Sequence, residues 1–301
     1  MKAEVLALIV TYNRKNMLLE CLNHLKDQTY RSFDVLIVDN CSTDGTEDVL
    51  FSYRIDGHSI NYIKLDSNIG GAGGFNYGLR YSVEHNYKYC WIMDDDCFPT
   101  ATALQELMQA DEKLGYKNYG YLSSVVLWTD GSECKMNRQK ISRKFYEKIE
   151  QLEHGIVKID QATFVSLLFP SWVIQKYGLP IKEYFIWGDD IEYTRRIAVR
   201  GNVNSYLVGK SKAVHAMPNN EGSSIAFDSY DRLDRYNFAF RNDNYTYRQE
   251  GLKGFLYYIG KCGINGLRVI CQARDHKFKR CGIILKQFWA GLVFNPKVEY
   301  T

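Results

Sequence analysis

The sequence predicts an α/β fold: a mostly parallel, doubly wound sheet flanked by helices, followed by a helical, basic C-terminal extension. Three observations carry this. The runs Val5-Leu6-Ala7-Leu8-Ile9-Val10 and Asp34-Val35-Leu36-Ile37-Val38 are apolar at nearly every position, as in parallel strands covered on both faces. Between them Leu18, Leu22 and Leu25 recur at helical spacing, making a β-α-β unit whose crossover should be right-handed. The same alternation then repeats.

Asn40-Cys41-Ser42-Thr43-Asp44-Gly45 is a turn rich in helix N-cap candidates, with a short helix expected to about Tyr53 and a strand at Tyr62-Ile63-Lys64-Leu65. A third unit runs from a glycine-rich loop at 68–74, through a helix starting near Phe75, to the strand Tyr89-Cys90-Trp91-Ile92-Met93. Residues 117–216 are less regular, with strands expected near 120–127 and 203–208 and a helix from about Asp190 to Arg200. After roughly residue 228 aromatic and basic residues dominate, so we divide the chain into a catalytic-type domain at 1–228 and a helical region at 229–301. A length of 301 residues suits one large domain with an appendage.

Hydrophobic content of 46% places the chain among globular proteins. The apolar run at 5–10 is too short for a signal peptide, and none reaches the roughly 18–20 residues that cross a bilayer. The eight cysteines form no C-x-x-C pair, so reduced thiols in a cytoplasmic protein are expected rather than a zinc site or disulfide framework. Residues 251–301 carry nine Lys/Arg against Asp275 and Glu299, so the basic character sits in the tail. Nucleic acid is not an expected partner.

Ligands of doubly wound sheets bind beyond the carboxyl ends of the strands. Thr11-Tyr12-Asn13-Arg14, Asp39-Asn40 and Asp94-Asp95-Asp96 fall at those ends and should converge on one crevice. Three successive carboxylates repel one another unless something positive joins them. Strand alternation sets Asp94 and Asp96 on one side, able to share Mn²⁺ or Mg²⁺, while Asp95 is held by the protein. Asp189-Asp190 with Glu192, behind Phe185-Ile186-Trp187-Gly188, is a second acidic group. It suits a helix N-terminus facing a cleft, where one carboxylate acts as general base or simply caps the helix. Asn68-Ile69-Gly70-Gly71-Ala72-Gly73-Gly74 lets backbone N–H groups approach phosphate or sugar, without being a dinucleotide fingerprint or a P-loop. His215, after a strand and a short loop, is by itself a structural histidine more often than a ligand.

Over residues 4–250 these segments resemble the family-2 inverting glycosyltransferases of GT-A type, whose Rossmann-like sheet matches the alternation above. The likeness rests on Leu8-Ile9-Val10-Thr11-Tyr12-Asn13-Arg14, Val38-Asp39-Asn40, Ser42-Thr43-Asp44-Gly45-Thr46, Asn68-Ile69-Gly70-Gly71, Trp91-Ile92-Met93-Asp94-Asp95-Asp96 and Phe185-Ile186-Trp187-Gly188-Asp189-Asp190-Ile191-Glu192-Tyr193. The glycine loop and triple aspartate most resemble galactofuranosyltransferases, with rhamnosyltransferases next. The resemblance implies a nucleotide-sugar donor held by Thr11, Tyr12, Asn13, Arg14, Asp39, Asn68, Gly70, Gly71, Asp94 and Asp95. It implies metal ligation by Asp94, Asp96 and His215, a base at Asp190 or its neighbour Asp189, and acceptor contacts at Trp187 and Glu192. UDP-galactofuranose is the donor it favours and dTDP-rhamnose the alternative. The sequence departs from the galactofuranosyltransferase pattern at Gly188, which separates Trp187 from the two aspartates.

A glycosidase has no use for a metal site, and a nucleotidylyltransferase should carry a basic glycine-rich loop after its first strand. A nucleotide-sugar-binding scaffold would have no need of every carboxylate. The tail adds one expectation: Leu252, Phe255, Leu256 and Ile259, then Ile283-Ile284-Leu285 and Phe288-Trp289, are interleaved with Lys/Arg as in helices that lie among lipid headgroups. Peripheral attachment to the anionic inner leaflet, beside a glycan or polyprenyl-linked glycan acceptor, competes there with a helical cap or homo-oligomer contact.

Overall fold

The structure is a computed structural model and describes residues 3–301. In chain order it holds β1 (Val5–Thr11), α1 (Lys15–Lys26), β2 (Phe33–Asp39), α2 (Thr46–Phe51), β3 (Ile60–Lys64), α3 (Gly70–Glu84), β4 (Tyr89–Asp94), β5 (Cys97–Pro99), α4 (Ala103–Leu114), β6 (Leu122–Leu127), β7 (Lys140–Ile141), α5 (Ile149–Glu153), β8 (Ile156–Gln161), β9 (Leu167–Pro170), α6 (Ser171–Tyr177), α7 (Asp189–Arg195), β10 (Ser205–His215), α8 (Tyr236–Arg248), α9 (Gly251–Gln272) and α10 (Lys277–Val293). The ten strands form one sheet in the order β3-β2-β1-β4-β9-β6-β10-β8-β7, with β5 paired to the end of β10.

The first half is the parallel unit expected. Strand β1 lies between β2 and β4, and the register sets Thr11 against Asp39 and Val10 against Asp94, so three functional ends finish level. Alternate residues of β1 serve opposite cores: Val5, Ala7 and Ile9 pack with Leu18, Leu22 and Leu25, whereas Leu6, Leu8 and Val10 pack with Phe75 and Leu79. Beyond β4 the sheet turns mixed. Strand β9 runs antiparallel to both β4 and β6, and β8 and β7 add an antiparallel edge.

Three local expectations change. The glycines at 70–74 are not a loop before the helix but its first turns. They permit close packing: a Cβ at Gly74 would lie 2.5 Å from Val10, and one at Gly78 2.3 Å from Leu8. His215 does not follow a loop; it ends an eleven-residue strand that a bulge between Val208 and Lys212 carries onward against β5. The helix expected to Arg200 begins at Asp189 and widens over Arg196–Arg200 into a π turn.

Helices α8, α9 and α10 share a third core, in which the Tyr258 ring stacks on Phe288 at 5.7 Å. The last residues then return to α3 and the segment after α6, where Glu299 pairs with Arg80 and Lys182 and its carbonyl accepts from Leu179 N at 2.8 Å. Gly70 also marks a close approach: its φ is +77°, and a Cβ there would lie 2.1 Å from the carbonyl oxygen of Phe185. Gly70→Ala should therefore cost about 2–5 kcal/mol, adding a left-handed penalty to backbone overlap. Urea unfolding followed by circular dichroism measures it.

Candidate active site

The triple aspartate lies where β4 gives way to the turn into β5, and each carboxylate has its own counterpart. Asp95 accepts from the Thr11 hydroxyl at 2.7 Å and from Arg14 at 3.1 Å, and Arg14 also reaches Asp96. The other oxygen of Asp96 faces His215 Nε2 at 3.1 Å. His215 arrives there because its strand end pairs directly with Cys97, the residue after Asp96. One ligand atom each from Asp94, Asp96 and His215 lie within 4.8 Å of one another. Two carboxylates and an imidazole so placed are a donor set that Mn²⁺ or Mg²⁺ accepts.

The electrostatics describe a site short of positive charge. Burial pushes Asp94 well above the usual carboxylate range, and Asp96, Asp95 and Asp189 add to it by repulsion. Burial and Asp96 raise Asp95 to about 6, against the pull of Arg14 and Thr11. Asp96 is held low despite its burial, through its bonds to His215 and Arg14. His215, which burial alone would lower, is raised to about 10 by Asp96.

The neighbouring strand ends are built with equal care. Asp39, fully buried, accepts from the Ser42 N–H and hydroxyl on one oxygen and from the Tyr62 hydroxyl at 2.7 Å on the other. Asn13, at φ +53°, accepts from Thr43 N at 2.7 Å, which ties the loop after β1 to the loop after β2. Tyr12 stands exposed beside it. Asn68 accepts from Gly70 N at 2.8 Å, closing the turn into α3, where Gly71 has open space around it. Thr11, expected against the nucleoside, donates its hydroxyl to Asp95 from the end of β1.

Asp189 and Asp190 open α7 after a backbone in which Phe185, Trp187 and Gly188 all have positive φ. Asn242 of α8, wholly buried, braces that segment by donating to the carbonyls of Tyr184, Ile186 and Trp187 at 2.8–3.3 Å. Burial and the repulsion of Asp190 push Asp189 up to about 8. Asp190, raised to about 6 by burial, is drawn down by the N–H of Ile191 at 2.7 Å. Trp187 packs edge-on to Tyr236 with ring centres 5.1 Å apart. Glu192, expected toward the acceptor, turns inward instead: it is 1% exposed and pairs with Arg196 and Arg200, because the helix sets residues four and eight positions on along the same face.

Asn137 and Asn242 have no counterpart in the sequence reading, and Tyr62 enters it only as a strand residue. Asn137 accepts from His215 Nδ1 at 2.7 Å and donates to Thr163, so it orients the imidazole with Nε2 toward the carboxylates. It lies 78 residues from His215 with no motif around it.

A model described as Glycosyl transferase family 2 matches residues 7–171, just over half of the chain. The chain belongs to glycosyl transferase family 2. Galactofuranosyltransferase GlfT1 of Mycobacterium tuberculosis is 26% identical over 272 residues, covering 85% of this chain and 86% of that protein. The amylovoran biosynthesis glycosyltransferase AmsB of Erwinia amylovora is 30% identical over 133 residues, covering 42% of this chain and 43% of its own. Among solved structures, the mannosyltransferase PcManGT of Pyrobaculum calidifontis, in complex with GDP-Man and Mn²⁺, superposes with a TM-score of 0.57 at 15% identity, over 98% of this chain and 76% of that one. GalNAc-T7 with UDP, GalNAc and Mn²⁺ gives 0.59 at 12% identity, over 97% and 57%. These likenesses agree with the GT-A fold.

Removing Glu192 from this transferase should leave the buried Arg196 and the half-buried Arg200 without their counter-charge. Glu192→Ala is expected to cost about 3–5 kcal/mol in urea unfolding, as loss of one partner of a buried ion pair does.

Proposed function

We propose that the protein is a metal-dependent, inverting glycosyltransferase that moves galactofuranose from UDP-galactofuranose to a hydroxyl of a glycan or polyprenyl-linked glycan, in cell-surface polysaccharide synthesis at the inner face of a membrane. The observation that carries the reading is the Asp94–Asp96–His215 cluster at the ends of level strands, with Asp189 near enough for its charge to raise Asp94. The donor assignment is supported by the full-length likeness to GlfT1.

A divalent cation held by Asp94, Asp96 and His215 would neutralise the charge that builds on the departing diphosphate, an effect worth several kcal/mol. The chain's own residues do the rest. Asp39, fixed by Ser42 and Tyr62, and the Tyr12–Asn13 loop bind the nucleoside. Arg14 keeps Asp95 and Asp96 apart and oriented. Asn68, Gly70 and Gly71 bring backbone N–H groups of the start of α3 toward the donor. Trp187 borders the acceptor.

The carboxylate pair divides its duties by its environment. Burial and the repulsion of Asp190 push Asp189 upward, whereas Asp190, raised by burial, is drawn back down by the N–H of Ile191 and its own backbone N–H, so Asp190 gives up its proton the more readily. Asp190 is therefore the base. It takes the proton of the acceptor hydroxyl as that oxygen bonds to the anomeric carbon, and the bond to the diphosphate breaks with its electron pair passing to the phosphate oxygen. Attack from the side opposite the leaving group inverts the anomeric centre.

The test is nucleotide release by purified protein with Mn²⁺, an acceptor extract, and UDP-galactofuranose or dTDP-rhamnose as donor. Release only with dTDP-rhamnose overturns the sugar assignment; release with neither overturns the reading. Asp96→Ala should abolish the strengthening of UDP binding by Mn²⁺ in calorimetry. Asp190→Asn should lower kcat by about 10²–10⁴ with UDP affinity kept, as loss of a general base does. Asp189→Asn, which resembles the protonated acid, should cost less than about tenfold. Since the reactive form of Asp190 is the carboxylate, kcat should fall as pH drops through about 6 and level off above it.

A further inference from the structure

Helix α9 turns most of its circumference outward, and that surface is apolar. Leu252, Leu256, Tyr257, Ile259, Ile264, Leu267 and Ile270 are all exposed, while its only charged residues are Lys253, Lys261 and Arg268. Helix α10 adds Phe278, Leu285, Trp289 and Val293, at helical spacing along one stripe, with Phe278 97% exposed at its start. Such a surface far exceeds the scattered exposed side chains of an ordinary monomer and marks an interaction site.

Charge decides what covers it. Between residues 251 and 293 the exposed charges are Lys253, Arg268, Arg274, Lys277, Lys279 and Lys286, with Asp275 as the one exposed acid, already paired to Arg280. A second copy docked face to face would set these cations against their own likeness, whereas an anionic bilayer accepts both the apolar stripe and its basic fringe. No helix among the described residues is long and apolar enough to cross a membrane, so the pair must lie in the headgroup region.

The hairpin tip is also tied to the catalytic mouth. Lys279 lies over the Tyr230 ring at 4.0 Å, and the ring of His276 meets Tyr230 at 4.5 Å. Arg280 donates to the carbonyls of Ile225 and Asp228, Asp228 accepts from Tyr236, and Tyr236 packs on Trp187.

We infer that the α9–α10 hairpin is a docking surface for an anionic lipid bilayer, with Phe278 and Trp289 entering the acyl boundary and Lys277, Lys279 and Lys286 meeting the headgroups. Seated so, the chain of contacts from the hairpin tip to Trp187 sets the acceptor side of the cleft at the membrane. This deepens the proposed use of a lipid-linked acceptor and rests on it for its purpose, though not for its test.

The test is flotation of the full-length protein with vesicles of phosphatidylcholine alone or mixed with phosphatidylglycerol. Binding is expected only to the mixed vesicles and should weaken as salt rises. Phe278→Ser with Trp289→Ser, and separately Lys277→Glu with Lys286→Glu, should each reduce vesicle binding about tenfold or more. Unfolding temperature, and nucleotide release with a water-soluble acceptor, should stay unchanged in both variants. Failure of the unaltered protein to float, undiminished flotation of both variants, or a dimer that these substitutions dissolve would overturn the inference. Flotation needs neither donor nor cation, so its failure leaves the transferase reading standing, and absence of nucleotide release leaves the docking surface standing.

Discussion

Three carboxylates in succession at the end of a buried strand are the constraint from which the rest of the site follows. Each would be driven toward its neutral form by burial and by its neighbours. The chain answers with a different device for each. Asp95 is given Thr11 and Arg14, from the level end of the adjacent strand. Asp96 is given Arg14 on one oxygen and His215 on the other. Asp94 has no cationic partner of its own among the described residues and shares a ligand-sized gap with Asp96 and His215. Such a third carboxylate works against stability and suits the cation site proposed above.

Bringing His215 to Asp96 explains the second half of the sheet. The two residues lie 119 positions apart. Their meeting requires β10 to run on past its pairing with β8, through a bulge and still parallel to β6, and there to pair antiparallel with the three-residue β5. The bulge re-aims the strand, a common role for bulges beside active sites. Asn137 then fixes the ring from behind.

What was legible in the sequence follows the range of the interactions. The parallel half announced itself because β1, β2 and β4 are buried on both faces and α1 shows its apolar period, all local signals. Asp94 and Asp96, which strand alternation pairs, and His215, which only the family likeness adds to them, are brought within one cluster by the structure. The antiparallel insertion of β9 was not legible, since Leu167–Pro170 is too short to show a period. The glycines of α3 misled because glycine ordinarily breaks helices, whereas here the close approach to Val10 and Leu8 requires it. Glu192 misled for another reason: its arginine partners lie on the next turns of its own helix, and the motif spacing suits a buried pair as well as a surface contact.

The region after residue 228 is more than an appendage to this arrangement. Phe185 and Trp187 stand at positive φ, a cost of about 1–3 kcal/mol each that persists only where surroundings over-determine the backbone. Those surroundings are C-terminal: three bonds from Asn242, the Tyr184 hydroxyl on Thr246, and the Arg195–Glu250 pair that anchors α7. The carboxylate cluster is thus set by the sheet, whereas Asp189 and Asp190 are set by helices that follow them in the chain. Gly70 against Phe185 is one of the contacts between these two parts, beside Asn76 on the Pro180 carbonyl and Thr194 on Ala162. A side chain at Gly70 would push the head of α3 away from the Phe185 carbonyl, so this glycine fixes how closely the start of α3 and the segment before α7 approach.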